Sequence, residues 1–200
     1  MSFFSKARKL SPFLRWLLRI RFEGWENLPD TGPVILCSNH RSNLDPVLLS
    51  VVLRRDLFFM AKASLFKVPL LNILIRALGA FPVERGVGDL RAVERAMEIV
   101  RSGEVLAMFP EGHRLREAGQ PQRFRSGAAL IAAHTGAPVV PAAILCEGRM
   151  RFFKKKYIRI GRPIQPSELG LTVTSRENLQ KASGLIREAV CALMAQPAVR

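Results

Sequence analysis

The sequence predicts a single α/β domain built on a mixed, mostly parallel sheet flanked by helices, with an N-terminal amphipathic helix that lies on a membrane surface. Three observations predict this arrangement. Short apolar runs alternate with helical patterns along the chain, which is typical of parallel sheets. Two hundred residues suit one domain better than two. The formal net charge of +15 indicates an anionic partner.

Strands are predicted from short apolar runs, and helices from their periodicity and their capping residues. The predicted strands are 33–37, 57–60, 79–83, 105–109, 139–145 and 157–160. The predicted helices are 13–22, 46–53, 90–101, 127–135 and 177–195, and Asp89 is expected to cap the third of them. Residues 65–78 are strongly apolar with a helical rhythm.

The positive charge is concentrated in two stretches. Residues 1–22 carry six bases and no acid, and residues 149–162 carry seven bases and no acid. Both stretches also hold large apolar side chains, a combination that suits an anionic bilayer surface. Nucleic acid could use the same charges. We expect none to bind, because the sequence has no zinc-finger spacing, no RRM motif and no convincing helix-turn-helix.

The longest stretch without Asp, Glu, Lys or Arg is 126–146. Its length alone would allow a membrane span. Gly136, Pro138 and Pro141 interrupt it, which favours a short buried helix, a turn and a buried strand. We therefore expect a protein that lies on a membrane without crossing it.

The segment NHRSNLDP, residues 39–46, is the most informative part of the sequence. His40 is a natural general base, and a carboxylate from Asp45 could bond its second ring nitrogen. Residues five apart on one helix point about 140° apart, so the pair can meet only across a turn. Alternatively, Asp45 caps the helix that begins at Pro46. Both roles can hold together, because a carboxylate has several acceptor sites.

Two further polar segments follow predicted strands. FPEGHR, residues 109–114, indicates either a polar pocket or a surface ion pair. Arg85, beside Gly86 and Gly88, could hold a phosphate at a helix N-terminus, or the turn could be solvated. The three histidines, His40, His113 and His134, are dispersed, so no metal site is expected. We expect His134 to lie in the core.

Four motifs together resemble a known family. NHRSNLDP, GAFPVER, FPEGHR and VVPAAI occur in the order and approximate spacing of the four motifs of the glycerolipid acyltransferase family, within a likeness over residues 20–165. The resemblance implies transfer of a fatty acyl group to the free hydroxyl of a lysophospholipid, most simply 1-acylglycerol-3-phosphate. The donor would be acyl-CoA or acyl carrier protein, each as a substrate, and no cofactor is implied.

The resemblance also implies roles for individual residues. His40 would be the general base and Asp45 its orienting partner. Pro141 would lie on the acyl-donor side. The acceptor and its phosphate would be bound by Lys62, Arg85, Glu111, Gly112 and Arg114. The sequence departs from the family pattern on the acceptor side, where Pro82 replaces Phe in the second motif and His113 and Leu115 replace Thr and Ser in the third.

The basic, apolar composition of residues 1–22 indicates a membrane-association segment, and the resemblance makes 23–200 an acyltransferase domain. It implies a peripheral or monotopic protein on the cytoplasmic face of the cell membrane. Residues 65–78 could line an acyl tunnel or fill the core, and we favour the core. Two alternatives stay open: a thioesterase that uses the same His–Asp pair, and a nonenzymatic basic protein that binds membrane or nucleic acid. A GxSxG elbow, the commonest hydrolase signature, is absent.

Overall fold

The computed structural model describes residues 12–197, apart from 85–87, 115–118, 122, 147 and 149–153. Its centre is a seven-stranded sheet with the order β1-β7-β6-β2-β5-β3-β4. The strands are β1 (Ile20–Glu23), β2 (Val34–Ser38), β3 (Leu57–Lys62), β4 (Ala80–Val83), β5 (Val105–Met108), β6 (Val139–Cys146) and β7 (Lys156–Ile160). The β6–β7 pair is antiparallel and the other five pairs are parallel. The predicted α/β domain with a mixed, mostly parallel sheet is therefore confirmed.

Helices connect the strands. They are α1 (Asp45–Val52), α2 (Pro69–Ala77), α3 (Leu90–Arg101), α4 (Gly127–Thr135) and α5 (Arg176–Ala195), with short 3-10 helices at Trp25–Asn27 and Ala63–Lys67. Residues 12–17 are also helical. The side chain of Asp89 accepts a hydrogen bond from the Ala92 N–H, which confirms the predicted cap of α3. In the part of the chain that the structure describes, no helix is long and apolar enough to cross a bilayer.

Two apolar layers enclose the sheet. On one face, α1 packs Leu48 and Leu49 against alternate strand residues such as Leu36. On the other face, α3, α4 and α5 pack against the intervening residues, of which Ile35 is one. Successive side chains of a strand point to opposite faces, so β2 is buried on both. This explains why its sequence, VILCS, is apolar without alternation.

The predicted helix over 13–22 is wrong in its second half. The helical residues end at 17, Arg19 has a φ of 51°, and β1 then pairs in parallel with β7. Without β1, β7 would leave unpaired backbone groups at the edge of the sheet, and β1 satisfies them. The Nζ of Lys156 also donates to the Leu18 carbonyl at 3.0 Å. Strand β1 therefore runs across the domain boundary predicted between residues 22 and 23.

The second basic stretch, residues 149–162, lies only partly on the surface. Lys156 is 0% exposed and Arg159 is 2% exposed. Arg159 pairs with Glu23 at 3.0 Å and donates to the carbonyls of Leu193 and Gln196, which ties β7 to the end of α5. Burial lowers the pKa of Lys156. Two of the bases that suggested a membrane surface are thus buried in contacts within the fold.

Two expectations about apolar segments are also wrong. Residues 65–78 do not fill the core, because none of the residues of α2, all of which the structure describes, is buried. His134 is exposed on α4, with its Nδ1 2.9 Å from the Leu130 carbonyl oxygen.

Candidate active site

The candidate site lies where β2 and β5 end. These two strands are parallel neighbours, so the residues that follow them emerge side by side at one edge of the sheet. Asn39 comes directly after β2. Its Oδ1 accepts from the Ile144 N–H at 2.7 Å, and its Nδ2 donates to the Ile144 carbonyl at 2.9 Å. The chain is therefore fixed to β6 one residue before His40.

His40 and Asp45 are in contact. The Nδ1 of His40 is 2.8 Å from the Oδ2 of Asp45, and the side chains are 13% and 0% exposed. An ionised carboxylate can only accept, so the proton lies on Nδ1 and Nε2 is free to act as a base. The same Asp45 oxygen accepts from the backbone N–H groups of Arg41 and Ser42. The pair meets across a turn, as the five-residue spacing requires.

Asp45 is the first residue of α1, and Leu44 occupies the N-cap position. The hydrogen bonds of its carboxylate point back to residues 40–42 rather than into the first turn of the helix. The alternative that its side chain caps α1 is therefore wrong.

Glu111 supports the same loop from β5. Its Oε1 accepts from the backbone N–H of His40 at 2.8 Å, and the residue is 4% exposed. Burial raises the pKa of Glu111, and the His40 N–H bond opposes this rise. Gly112 follows with a φ of +73°, and a Cβ there would approach the Arg125 Nε to 2.8 Å. Only glycine suits this turn.

An apolar cleft of about 310 Å³ opens beside His40. The His40 ring stacks on Phe109 with 4.2 Å between the ring centroids. The walls come from the loop after β2, α1, β3 and α2: Asn43, Leu44, Pro46, Val47, Phe59, Met60, Ala61, Lys62, Leu65, Leu71, Leu74, Ile75, Leu78 and Ala80. Lys62 brings a positive charge to this largely apolar surface.

The other predicted site residues are placed as follows. Arg114 donates from Nη1 to the Oδ1 of Asn43 at 2.8 Å, so it reaches the rim of the cleft. Pro141 is buried in β6 and is not among the described residues that line the cleft. Arg85 lies outside the described residues. The structure thus brings His40, Asp45 and Glu111 together.

Three supporting residues were not singled out from the sequence. They are Asn39, Phe109 and Arg41, whose guanidinium donates to the carbonyls of Cys146 and Gly148. Asn39 and Phe109 each stand directly after a strand, a position that could have identified them. Nothing in the sequence distinguishes Arg41 from a solvated base.

Among the described residues, no group of three or more His, Cys, Asp or Glu side chains is arranged to hold a metal ion. We assign no metal ligands to the site.

Comparison with known proteins decides the family. The model of the family described as Acyltransferase matches residues 19–145, well over half of the chain, and the match includes all four motifs. The chain belongs to the acyltransferase family. The resemblance predicted from the motifs is therefore confirmed.

Individual members of the family agree. The chain is 33% identical to the 1-acyl-sn-glycerol-3-phosphate acyltransferase of Bacillus subtilis over 159 residues, 77% of each protein. It is also 33% identical to a chloroplastic 1-acyl-sn-glycerol-3-phosphate acyltransferase of Arabidopsis thaliana, over 66% of this chain but only 37% of that protein. The crystal structure of the 1-acyl-sn-glycerophosphate acyltransferase PlsC from Thermotoga maritima superposes with a TM-score of 0.73 at 28% identity. The superposition covers 98% of this chain and 81% of the Thermotoga chain.

Proposed function

We propose that this acyltransferase moves a fatty acyl group from an acyl thioester to the free hydroxyl of a lysophospholipid. The favoured acceptor is 1-acylglycerol-3-phosphate, which would give phosphatidic acid. One observation carries the proposal: a buried Asp45 bonded at 2.8 Å to His40, whose ring borders an apolar cleft. The names of the Bacillus and Thermotoga relatives support the choice of acceptor.

The reaction needs one base. The acceptor hydroxyl gives its proton to the Nε2 of His40 while its oxygen forms a bond to the thioester carbonyl carbon. The C–S bond then breaks, the sulfur leaves with the electron pair, and the imidazolium returns its proton to that sulfur. The Asp45 carboxylate stabilises the imidazolium in between. A thiol of pKa about 8.5 leaves readily, so no further acid is required.

The cleft offers an apolar surface for the acyl chain and a charged surface for the headgroup of the acceptor. Its apolar walls suit an acyl chain, whose burial releases ordered water. Lys62, at the cleft surface, supplies a cation for the acceptor phosphate, and we assign Arg85 and Arg114 to the same headgroup. We assign Glu111 and Gly112 to shaping this acceptor site through the loop of His40. Pro141 is assigned to the donor side, where acyl-CoA or acyl carrier protein would bind.

The bilayer supplies the acceptor and takes up the product. Residues 1–22 are proposed as an anchor on an anionic surface, at the cytoplasmic face of the cell membrane. Phe13 is 56% exposed and Trp16 is 74% exposed, so both are available to the headgroup region. Because anionic lipid attracts the bases of this segment, vesicle binding should weaken as salt is added.

The experiment measures thiol release by purified protein on anionic vesicles. Long-chain acyl-CoA and acyl carrier protein are compared as donors, with and without 1-acylglycerol-3-phosphate. We expect release that depends on the acceptor and is lost in His40→Ala. His134→Ala is the matched control, because His134 is exposed on α4 and should keep full activity.

Each other outcome contradicts a part of the proposal. Release without acceptor identifies a thioesterase that uses the same pair. Thiol release that persists in His40→Ala would show that His40 is not the base. No release from either donor favours a nonenzymatic membrane protein.

A further inference from the structure

Helix α2 presents an apolar face to solvent. Leu70 is 83% exposed, Ile73 is 69% exposed and Leu74 is 51% exposed. Isolated apolar residues are common on protein surfaces, but a contiguous set on one helix indicates an interaction site. We call these three side chains the outer face of α2.

The outer face continues into the cleft. At about 100° per residue, Leu71, Ile75 and Leu78 share the arc of the helix that lines the cleft. Leu70 and Ile73 lie on the adjoining arc, and Leu74 belongs to both, because it lines the cleft and is half exposed. An unbroken apolar surface therefore runs from the outside of the molecule to the neighbourhood of His40.

The polar side chains of α2 occupy the remaining arc. Asn72 and Arg76 lie there, and the Arg76 Nε donates to the Asn72 Oδ1 at 2.7 Å. The helix is thus amphipathic, yet its apolar arc is wider than the cleft that it lines. The excess consists of the outer face.

The charges around this helix fit an anionic lipid surface. Between Asp56 and Glu84 the sequence contains no acidic residue, while Lys62, Lys67 and Arg76 are all basic. An apolar face bordered by cations is the pattern of helices that lie in a bilayer interface. A second copy of the chain would set these cations against cations, which disfavours self-association through this face.

We propose that the outer face of α2 inserts into the acyl region of an anionic leaflet, so that the cleft opens directly into the bilayer. This inference rests on the proposed function for its purpose, because the bilayer holds the acceptor and the product. It adds a lipid contact separate from residues 1–22. An acyl chain can then pass between leaflet and cleft without crossing water.

Insertion is tested with a polarity-sensitive nitrobenzoxadiazole dye on Ile73→Cys. The native cysteines, Cys37, Cys146 and Cys191, are buried, so the new thiol is the preferred target for labelling. The vesicles contain phosphatidylcholine and phosphatidylglycerol, with or without spin labels on the acyl chains. We expect a blue shift on binding and strong quenching by the spin labels. Leu185→Cys is the matched control: it is 44% exposed on α5, on the other face of the sheet, and should show neither change.

Binding variants give a second measurement. Leu70→Gln and Ile73→Gln keep the helix propensity and the net charge of α2. Each should weaken partitioning onto the same vesicles about tenfold, and the double variant about a hundredfold. The reason is that each substitution removes an aliphatic side chain that would be buried in lipid. Leu185→Gln should leave partitioning within about twofold. Circular dichroism checks that all variants stay folded.

Two results would overturn the inference. If the protein sediments with vesicles while the dye at position 73 stays in water, membrane contact is made elsewhere. If the dye is shielded without vesicles as protein concentration rises, a second copy covers the face. Neither readout needs turnover, so insertion without acyl transfer would refute the proposed function alone.

Discussion

The loop of residues 39–45 and helix α2 border the same cleft, but they are held in opposite ways. In the loop, Asn39 makes two hydrogen bonds to Ile144, and one oxygen of Asp45 accepts three. In α2, every residue is at least partly exposed. The His40–Asp45 pair is fixed by polar bonds within the protein. The apolar wall that α2 gives the cleft is left partly exposed, and the proposed lipid contact would complete it.

The largest expected effect is on the loop. Asp45→Ala removes the acceptor of three hydrogen bonds and the charge beside His40, so kcat should fall about a thousandfold. Asp45→Asn can still offer an oxygen to the same three donors. It loses the charge and places an NH2 group where the second, unbonded oxygen of Asp45 lies, and we expect a fall of about 10- to 100-fold. Steady-state rates and thermal melting of both variants are the measurements; equal rates for Asn and wild type would show that the charge is not needed.

The second expected effect is on the free energy of unfolding. It is tested by comparing substitutions of two leucines. Leu49 of α1 is 0% exposed and Leu74 of α2 is 51% exposed. Leu49→Ala should reduce the free energy of unfolding by about 2–5 kcal/mol. Leu74→Ala should cost less than about 1 kcal/mol, since it leaves little cavity. Urea unfolding without lipid measures both. Equal losses of unfolding free energy would show that α2 is packed like the core, which would contradict its description as a partly exposed wall.

The smallest effect concerns Glu111, which connects the loop to β5. Glu111→Ala removes the acceptor of the His40 N–H, so kcat should fall about tenfold. A purely structural role would lower stability without lowering kcat. Glu111→Gln can still accept this bond and should retain more activity.

The pH dependence of stability tests Glu111 separately. Burial raises the pKa of the folded-state Glu111 above its ordinary 4.5. Its favourable contribution is therefore fully present below pH 4.5 and is lost as pH rises through the folded-state pKa. Glutamine does not titrate, so Glu111→Gln should gain stability relative to wild type as pH rises from 4 towards 7. A pH-independent difference would show that the pKa of Glu111 is not raised.

What could be predicted from the sequence was mostly local. The bounds of α3 and α4 match, because local signals mark them: the Asp89 side chain caps α3, and Gly136 ends α4 with a positive φ. The contact of His40 with Asp45 also depends on one short turn. The family was predictable because four motifs stand in order, three of which carry polar residues.

The features that could not be predicted from the sequence depend on contacts between distant residues. Strand β1 forms only because β7 lies beside it, more than a hundred residues along the chain. The same pairing buries Lys156, a residue type that sequence analysis places on the surface. The bond from Glu111 to His40 needs β2 and β5 to be neighbours. For α2 the periodicity was correct, but periodicity cannot tell whether an apolar arc meets protein or lipid.

The anchoring of β1 restricts how this protein can be shortened. Residues 1–22 cannot be removed as a detachable unit, because the cut would take away most of an edge strand and the Leu18 carbonyl that Lys156 binds. A fragment intended for crystallisation or for fusion to another protein should therefore begin before Leu18. That choice keeps β7 paired with β1 while it removes most of the basic N-terminal residues.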